Sequence, residues 1–378
     1  MPLRIYSTNM MKKLAFCLTL ILCFYLNLSI AQNERPQEPK IPFNYNVEDV
    51  VFFNSKADSI KLAGTLTLPK AIKKPPVAIL ISGSGPQNRD AYLKPFNHKP
   101  FLVLADYLTK QGIAVLRYDD RGVGESQGKF KDATSFDFAL DVEAAIHFLK
   151  TRNDIDTSKI GLIGHSEGGL IAPIVTSKNK DVAFVVMLAG PGVDGGKILE
   201  TQSRKMMELR GVQKMMIDEN EKLTTIIYDV IKRYKNTDTI KSKIAKGLNN
   251  FKAQNPMSIV SPSITPILIE QQFKILESKW LLEFIKIDPK EYLEKTTCSI
   301  LVLNGSKDVQ VLPEVNLPEI QKALATSGNT DVTIKELENL NHLFQTAETG
   351  NLDEYKTIEE TFAPSALKLI ADWINERF

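Results

Sequence analysis

The residues Gly164-His165-Ser166-Glu167-Gly168-Gly169 carry the most specific chemistry in this chain. They follow the apolar run Ile160 to Ile163 and lead into a helix-like stretch, Leu170 to Ser177. A serine between two glycines on a strand-to-helix turn reads as a nucleophile elbow. The turn is sharp and strained, and residues without bulk at Gly164 and Gly168 let neighbouring backbone come close. The Ser166 Oγ then stands exposed at the start of a helix. There the helix dipole and the Glu167 N–H can stabilise negative charge developing on a substrate oxygen.

A serine hydroxyl is a weak nucleophile at neutral pH, so a base must take its proton and an acid must hold that base in the right tautomer. Asp308 lies in a polar loop, Asn304 to Val311, directly after the apolar run Ile300 to Leu303. It is the natural orienting acid, although a loop carboxylate could instead cap the helix near Glu314. His342 follows the strand candidate Val332 to Leu337 and is the natural general base. The chain holds four histidines. His147 falls in a helix-period stretch, His165 neighbours the serine but points elsewhere by turn geometry, and His98 lies in a loop. They are too scattered for a metal-ligand spacing, and no cysteine cluster exists, so neither metal nor cofactor is expected. A second oxyanion donor is expected from the loop Ser82-Gly83-Ser84-Gly85-Pro86-Gln87, with the Ser84 N–H first and Gly83 next. The stretch Asp119 to Ser126 lacks the full dinucleotide and phosphate-loop motifs and reads as a structural turn.

These residues need elements to position them. Unbroken apolar runs at Val77 to Ile81, Ile113 to Leu116, Ile160 to Ile163, Phe184 to Leu188 and Ile300 to Leu303 suit strands buried on both faces. Amphipathic stretches at Pro100 to Lys110, Phe136 to Arg152, Gly168 to Thr176 and Pro364 to Arg377 alternate with them. Such alternation implies an α/β fold whose mostly parallel sheet has helices on both faces, with ligands at the carboxyl ends of the strands. Two further strands, Val47 to Phe53 and Lys61 to Leu68, read as an edge hairpin. The stretch 194–294 breaks the rhythm with helix periods alone, such as Ile198 to Leu209 and Ile267 to Phe284. It is expected to be a helical cap inserted into a core made of 47–193 and 295–378. Its Met206, Met207, Met215 and Met216, with Phe273, Trp280 and Phe284, could line an apolar pocket, Trp280 foremost among them, or simply form core.

The first 31 residues have a charged start at Lys12 and Lys13, an apolar run from Leu14 to Leu28, and small residues at Ser29 and Ala31. That pattern predicts a signal peptide cleaved after Ala31, and hence export to the periplasm or beyond; an uncleaved anchor is the alternative. Membrane contact is expected only through this segment during export. Residues 32–46, polar and without apolar period, read as a flexible leader. Of 47 basic residues, three (Arg4, Lys12, Lys13) lie in the signal, which leaves 44 against 45 acids. Such balance gives no reason to expect nucleic acid as a partner. Cys17 and Cys23 also lie in the signal, so Cys298 would be the one cysteine of the mature chain.

Several stretches in order, Leu62 to Leu66, Ser82 to Asp90, Asp120 to Ser126, Gly164 to Gly169, Leu303 to Val311 and Leu340 to Gln345, resemble the α/β-hydrolase superfamily. Within it they resemble a branch of secreted bacterial carboxylesterases related to serine aminopeptidases and dienelactone-hydrolase-like proteins. The resemblance covers about Leu62 to Trp373. It implies an eight-stranded sheet, a cap after the sixth strand, and hydrolysis of a small acyl ester through an acyl-enzyme, with the triad on Ser166, Asp308 and His342. Ser82-Gly83-Ser84-Gly85 departs from the lipase-type His-Gly-Gly-Gly pattern. Two rivals stay open: a peptidase whose cap supplies a carboxylate for a substrate amine (Glu200, Glu208, Glu219 and Glu221 are candidates), and a non-catalytic binding protein on the same fold. Oligomeric state is not legible in the residues.

Overall fold

The computed structural model describes residues 35–378, so the expected signal segment lies outside the described residues. The described chain divides into two compact units, residues 35–198 with 278–378, and residues 199–277.

The first unit contains the whole sheet. Its strands are β1 (Tyr45–Asn54), β2 (Ile60–Pro69), β3 (Val77–Ile81), β4 (Ala114–Tyr118), β5 (Ile160–His165), β6 (Val182–Leu188), β7 (Ser299–Gly305) and β8 (Val332–Leu337). The helices of the whole described chain are α1 (Pro100–Lys110), α2 (Ser135–Lys150), α3 (Glu167–Thr176), α4 (Gly195–Leu209), α5 (Lys214–Arg233), α6 (Thr237–Gln254), α7 (Pro266–Ile275), α8 (Lys279–Phe284), α9 (Lys290–Leu293), α10 (Pro313–Thr326) and α11 (Pro364–Asn375). The sheet order is β1-β2-β4-β3-β5-β6-β7-β8. β2 pairs antiparallel with β1 and β4, and all other pairs are parallel.

The inner strands are unbroken apolar runs because helices cover both of their faces. Ala78 and Leu80 of β3, Val186 and Leu188 of β6, and Leu301 and Leu303 of β7 share one cluster with Leu104 and Leu108 of α1 and Ile370 and Ile374 of α11. On the other face α2 and α3 pack on one another and α10 packs on β7 and β8. Each such leucine, isoleucine or valine contributes about 1.5–3 kcal/mol on burial, which makes the strand ends a stiff platform for side chains that must hold position. Edge strand β8 is only partly buried, as its mixed sequence requires.

Three expectations need correction. The leader is tied down from Arg35 onward, since the Arg35 guanidinium donates to the carbonyls of Ile358 (2.9 Å) and Phe96 (2.6 Å). The Gln37 side-chain carbonyl accepts the N–H groups of Thr361 (2.6 Å) and Phe362 (3.0 Å), and Glu38 pairs with Lys99 at 2.6 Å. Polar composition suggested a solvated chain, but here the polar groups satisfy loop backbone that would otherwise lack partners. Second, the helical insertion is shorter than 194–294. Residues 278–294, with α8 and α9, belong to the sheet-bearing unit, where α9 packs on α3 and α10. Third, the helical period from Ile267 to Phe284 is broken at Leu276–Ser278, because the Ser278 hydroxyl accepts the Leu281 N–H and starts α8 afresh.

The second unit is helical. Ile217, Leu223, Ile227 and Ile231 of α5 and Ile240, Ile244, Leu248 and Phe251 of α6 are buried at helical spacing, so the two helices meet along their apolar stripes.

Candidate active site

Ser166 sits between β5 and α3 with φ 54° and ψ −120°. That conformation costs a non-glycine residue about 1–3 kcal/mol and persists only where its surroundings hold it. Two bonds hold this one: the Ser166 N–H donates to Leu188 O at 2.8 Å, and its carbonyl accepts the Gly169 N–H at 2.8 Å. A Cβ at Gly164 would lie 2.0 Å from Gly168 O, and one at Gly168 would lie 2.2 Å from Ile81 O. Both glycines are therefore obligatory for close backbone approach, as the motif implied. Ser166 occupies the N-cap position of α3, yet its side chain caps nothing, which keeps the hydroxyl for other partners.

His342 and Asp308 meet. His342 Nδ1 lies 2.8 Å from Asp308 Oδ2, and both residues are buried. The other carboxylate oxygen, Oδ1, accepts the N–H groups of Gln310 (2.8 Å) and Val311 (2.9 Å), which fixes the plane of the acid. With the acid ionised, the bond makes Nδ1 the donor and leaves Nε2 as the acceptor that a general base needs. The alternative of Asp308 as a helix cap is not what its bonds describe, since its partners are the imidazole and its own turn.

His165, set aside on sequence grounds, contributes here. Its Nε2 lies 2.8 Å from the backbone carbonyl of His342, and the two rings are 4.7 Å apart. A carbonyl only accepts, so Nε2 carries the proton. Burial, with the nearby His342, pushes the His165 pKa down to about 3 and keeps it neutral. His165, directly before Ser166, thus staples the loop that carries His342.

The loop Ser82 to Gln87 lies against the turn at His165 and Ser166. A Cβ on Gly83 would lie 3.0 Å from Ser166 Cβ, so the Gly83 backbone lies against Ser166. Among the described residues, neither the Gly83 nor the Ser84 N–H donates to a backbone carbonyl. Two buried carboxylates grip this loop. Asp120 accepts the Ser82 hydroxyl at 2.7 Å and the Gln87 N–H at 2.9 Å. Glu167, directly after Ser166, accepts the Ser84 hydroxyl (2.7 Å), the Ser135 hydroxyl (2.6 Å) and the Trp280 indole N–H (2.8 Å). Burial pushes both acids up, Asp120 to about 7. The Asp119 to Ser126 turn is structural, as expected, but its structure serves this loop. Asp119 in turn accepts the Arg89 N–H at 2.8 Å and pairs with the Arg89 guanidinium at 2.7 Å.

Trp280 belongs to the sheet-bearing unit, half-buried and stacked on Phe284 with ring centroids 5.0 Å apart. Of the other apolar candidates, Met207 is buried and Met215 is exposed. The Glu167 side chain was missed, though a signal existed. It is the one charge in a helix whose ten residues are all buried, so a carboxylate there needs partners.

The family model described as serine aminopeptidase, S33, matches residues 99–249. Esterase EstD of Thermotoga maritima is 26% identical over 290 residues, 76% of this chain and 59% of that protein. The chain thus spans about three-fifths of that relative's length. An esterase of Pyrococcus furiosus aligns with a TM-score of 0.53 at 17% identity, covering 92% of this chain and 96% of that one. The protein GrgF of a Penicillium species, an α/β-hydrolase, aligns with a TM-score of 0.52 at 18% identity over 88% and 98%. The chain has the α/β-hydrolase fold. Within this fold the strand order and the turn after β5 place Ser166, Asp308 and His342 each just beyond the carboxyl end of a parallel strand, on β5, β7 and β8. That is the edge of the sheet where such folds bind ligands.

Proposed function

We propose that this chain is an exported serine carboxylesterase acting on small acyl esters, with Ser166 as nucleophile, His342 as general base and Asp308 as its orienting acid. The Ser166 Oγ attacks the acyl carbonyl while His342 Nε2 takes its proton. The C–O bond to the alcohol then breaks, and the alcohol leaves with that proton, which gives an acyl-Ser166 ester. A water attacks this ester by the same route, and His342 returns the proton to Ser166. Negative charge on the tetrahedral oxygen is received by the Glu167 N–H and by an N–H of Ser84 or Gly83. The observations that carry the reading are the 2.8 Å bond between His342 and Asp308, a serine held at φ 54°, and His165, directly before that serine, bonded to the His342 carbonyl at 2.8 Å. The N-terminal pattern Lys12 to Ala31 supports export.

The family model's description favours a second reading, an aminopeptidase, which needs a free carboxylate for the substrate amine. Within the helical unit Glu208 and Glu221 pair with Arg204, Glu219 pairs with Lys222 at 2.5 Å, and Glu200 also has a partner. Beside the nucleophile, Glu167 is buried and accepts three donors. These partnerships favour the ester. A fluorophosphonate probe is expected to label Ser166, and Ser166→Ala is expected to lose labelling and at least about 10⁴-fold in turnover of p-nitrophenyl acetate. Wild-type protein that is folded but unlabelled would overturn the serine mechanism, and aminoacyl anilides turned over faster than the ester would overturn the substrate class.

A further inference from the structure

The 82–87 loop has neither helix nor strand of its own, and its conformation includes Gly85 at φ 93°. A donor for a growing oxyanion must nevertheless be placed to within a few tenths of an ångström before the reaction begins. Hydrogen bonds to Asp120 hold the loop at Ser82 and Gln87, its two ends. The middle is held from the nucleophile's own helix. Ser84, exposed to solvent, sends its hydroxyl to Glu167 Oε2 at 2.7 Å, and Glu167 follows Ser166 directly in the chain. Glu167 Oε1 is fixed by Ser135 of α2 and Trp280 of α8. Thus the nucleophile and the middle of the loop share one buried anchor, and no cation pairs with it among the described residues. A charge buried without a cation partner is costly, and an apolar side chain would fill the same space at less cost. What an apolar side chain lacks is the ability to hold Ser84.

We propose that the Glu167 side chain is a positioning residue for oxyanion stabilisation: by holding Ser84 it keeps the 82–87 loop in register with Ser166. The inference rests on the serine-hydrolase reading above. It separates the two functions of one residue, since the Glu167 N–H faces the oxyanion while the carboxylate places the donor from the other side. A glutamine can keep the tether. Its carbonyl accepts from Ser135 and Trp280, its amide donates to the Ser84 oxygen, and a hydroxyl accepts as readily as it donates.

The test uses the full chain as wild type, Glu167→Ala, Glu167→Gln, Ser84→Ala and the Glu167→Ala/Ser84→Ala double variant. Steady-state kinetics on p-nitrophenyl acetate, fluorophosphonate labelling and urea unfolding are measured on each. Glu167→Ala is expected to lower kcat about 100-fold, the order seen when one oxyanion donor is lost, with KM within about threefold of wild type. Glu167→Gln should stay within about fivefold of wild-type kcat. Ser84→Ala should lower kcat at least about tenfold with its unfolding midpoint unchanged, and the double variant should be no worse than Glu167→Ala alone within about twofold. Wild-type kcat in Glu167→Ala or in Ser84→Ala, a loss confined to KM, a Glu167→Gln as slow as Glu167→Ala, or losses that multiply in the double variant would each overturn the proposal. Should Glu167→Ala not fold, Ser84→Ala and Glu167→Gln decide alone. Labelled wild type with unaffected variants sinks this inference only, whereas unlabelled wild type sinks the serine mechanism and this inference with it.

Discussion

The two sides of the candidate active site are held by different means. On the β7 and β8 side, Asp308 is fixed by backbone N–H groups of its own turn and faces His342, whose carbonyl is stapled by His165. On the β3 and β4 side, the 82–87 loop is fixed mainly through side chains, by two buried carboxylates that accept neutral donors. Backbone anchoring survives most substitutions of side chains, whereas anchoring by two acids is lost one residue at a time. On the β7 and β8 side Asp308 thus rests on backbone, with His165 as the side-chain exception, whereas the 82–87 loop depends on Asp120 and Glu167.

That contrast can be broken or sharpened experimentally. The largest effect is expected on the β7 and β8 side, from Asp308→Asn. The new amide keeps an oxygen for Gln310 and Val311 but presents N–H to His342 Nδ1, which selects the tautomer that cannot accept the Ser166 proton. A fall of about 10³- to 10⁴-fold in kcat with an unchanged unfolding midpoint is expected. Turnover within about tenfold of wild type would show that the Asp308 contact is structural only.

A smaller effect is expected on the other side from Asp120→Ala, which frees Ser82 and Gln87 and leaves the His342–Asp308 pair untouched. About 100-fold in kcat is the expected order, from imperfect placement of an oxyanion donor. Because burial pushes Asp120 up to about 7, wild type should lose stability relative to Asp120→Ala as pH rises from about 4 to about 7. Its folded pKa lies above its unfolded one, so the ionised form costs stability above that range. Unaltered kcat in Asp120→Ala would remove the 82–87 loop from the comparison.

The smallest effect tests the scaffold beneath both sides. His98 is fully buried between Thr361 Oγ1 (2.9 Å) and Tyr355 O (2.9 Å), and burial, with Arg35 nearby, pushes it down to about 4. An unfolded histidine titrates near 6.5, so below that pH the unfolded chain takes a proton that the fold refuses until about pH 4. Stability attributable to neutral His98 is present above 6.5 and is lost as pH falls. Between about pH 7.5 and 5, wild type is expected to lose about 2 kcal/mol more than His98→Gln in urea unfolding. Parallel pH dependences for the two proteins would contradict the buried neutral histidine.

Much of this molecule was legible in its residues, and the reason differs from place to place. The edges of β3 and the helix Pro100–Lys110 coincide with the apolar runs and periods because burial on one or two faces writes itself into local spacing. The elbow at Ser166 was legible because its turn tolerates no Cβ at Gly164 or Gly168. Asp308 and His342 could be picked as candidates because each follows a buried strand, and ends of parallel strands share one edge. The leader was misjudged because Arg35 and Gln37 find carbonyls and N–H groups more than 300 residues away, which no local composition encodes. The limits of the helical unit were misjudged for a similar reason, since α8 and α9 keep the same helical period wherever they pack.

The order of chemical groups along the chain, the alternation of strand and helix and the strained serine were thus set by local spacing, because sterics and periodicity act within a few residues. Which side chains hold those groups in place was decided only by folding. Glu167 reads as one more acid in a string of letters. It becomes an anchor when the turn after β3, the first turn of α2 and the tryptophan of α8 bring three donors to its carboxylate. Hydrogen bonds of that kind depend on distance in space, and spacing along the chain carries no trace of them.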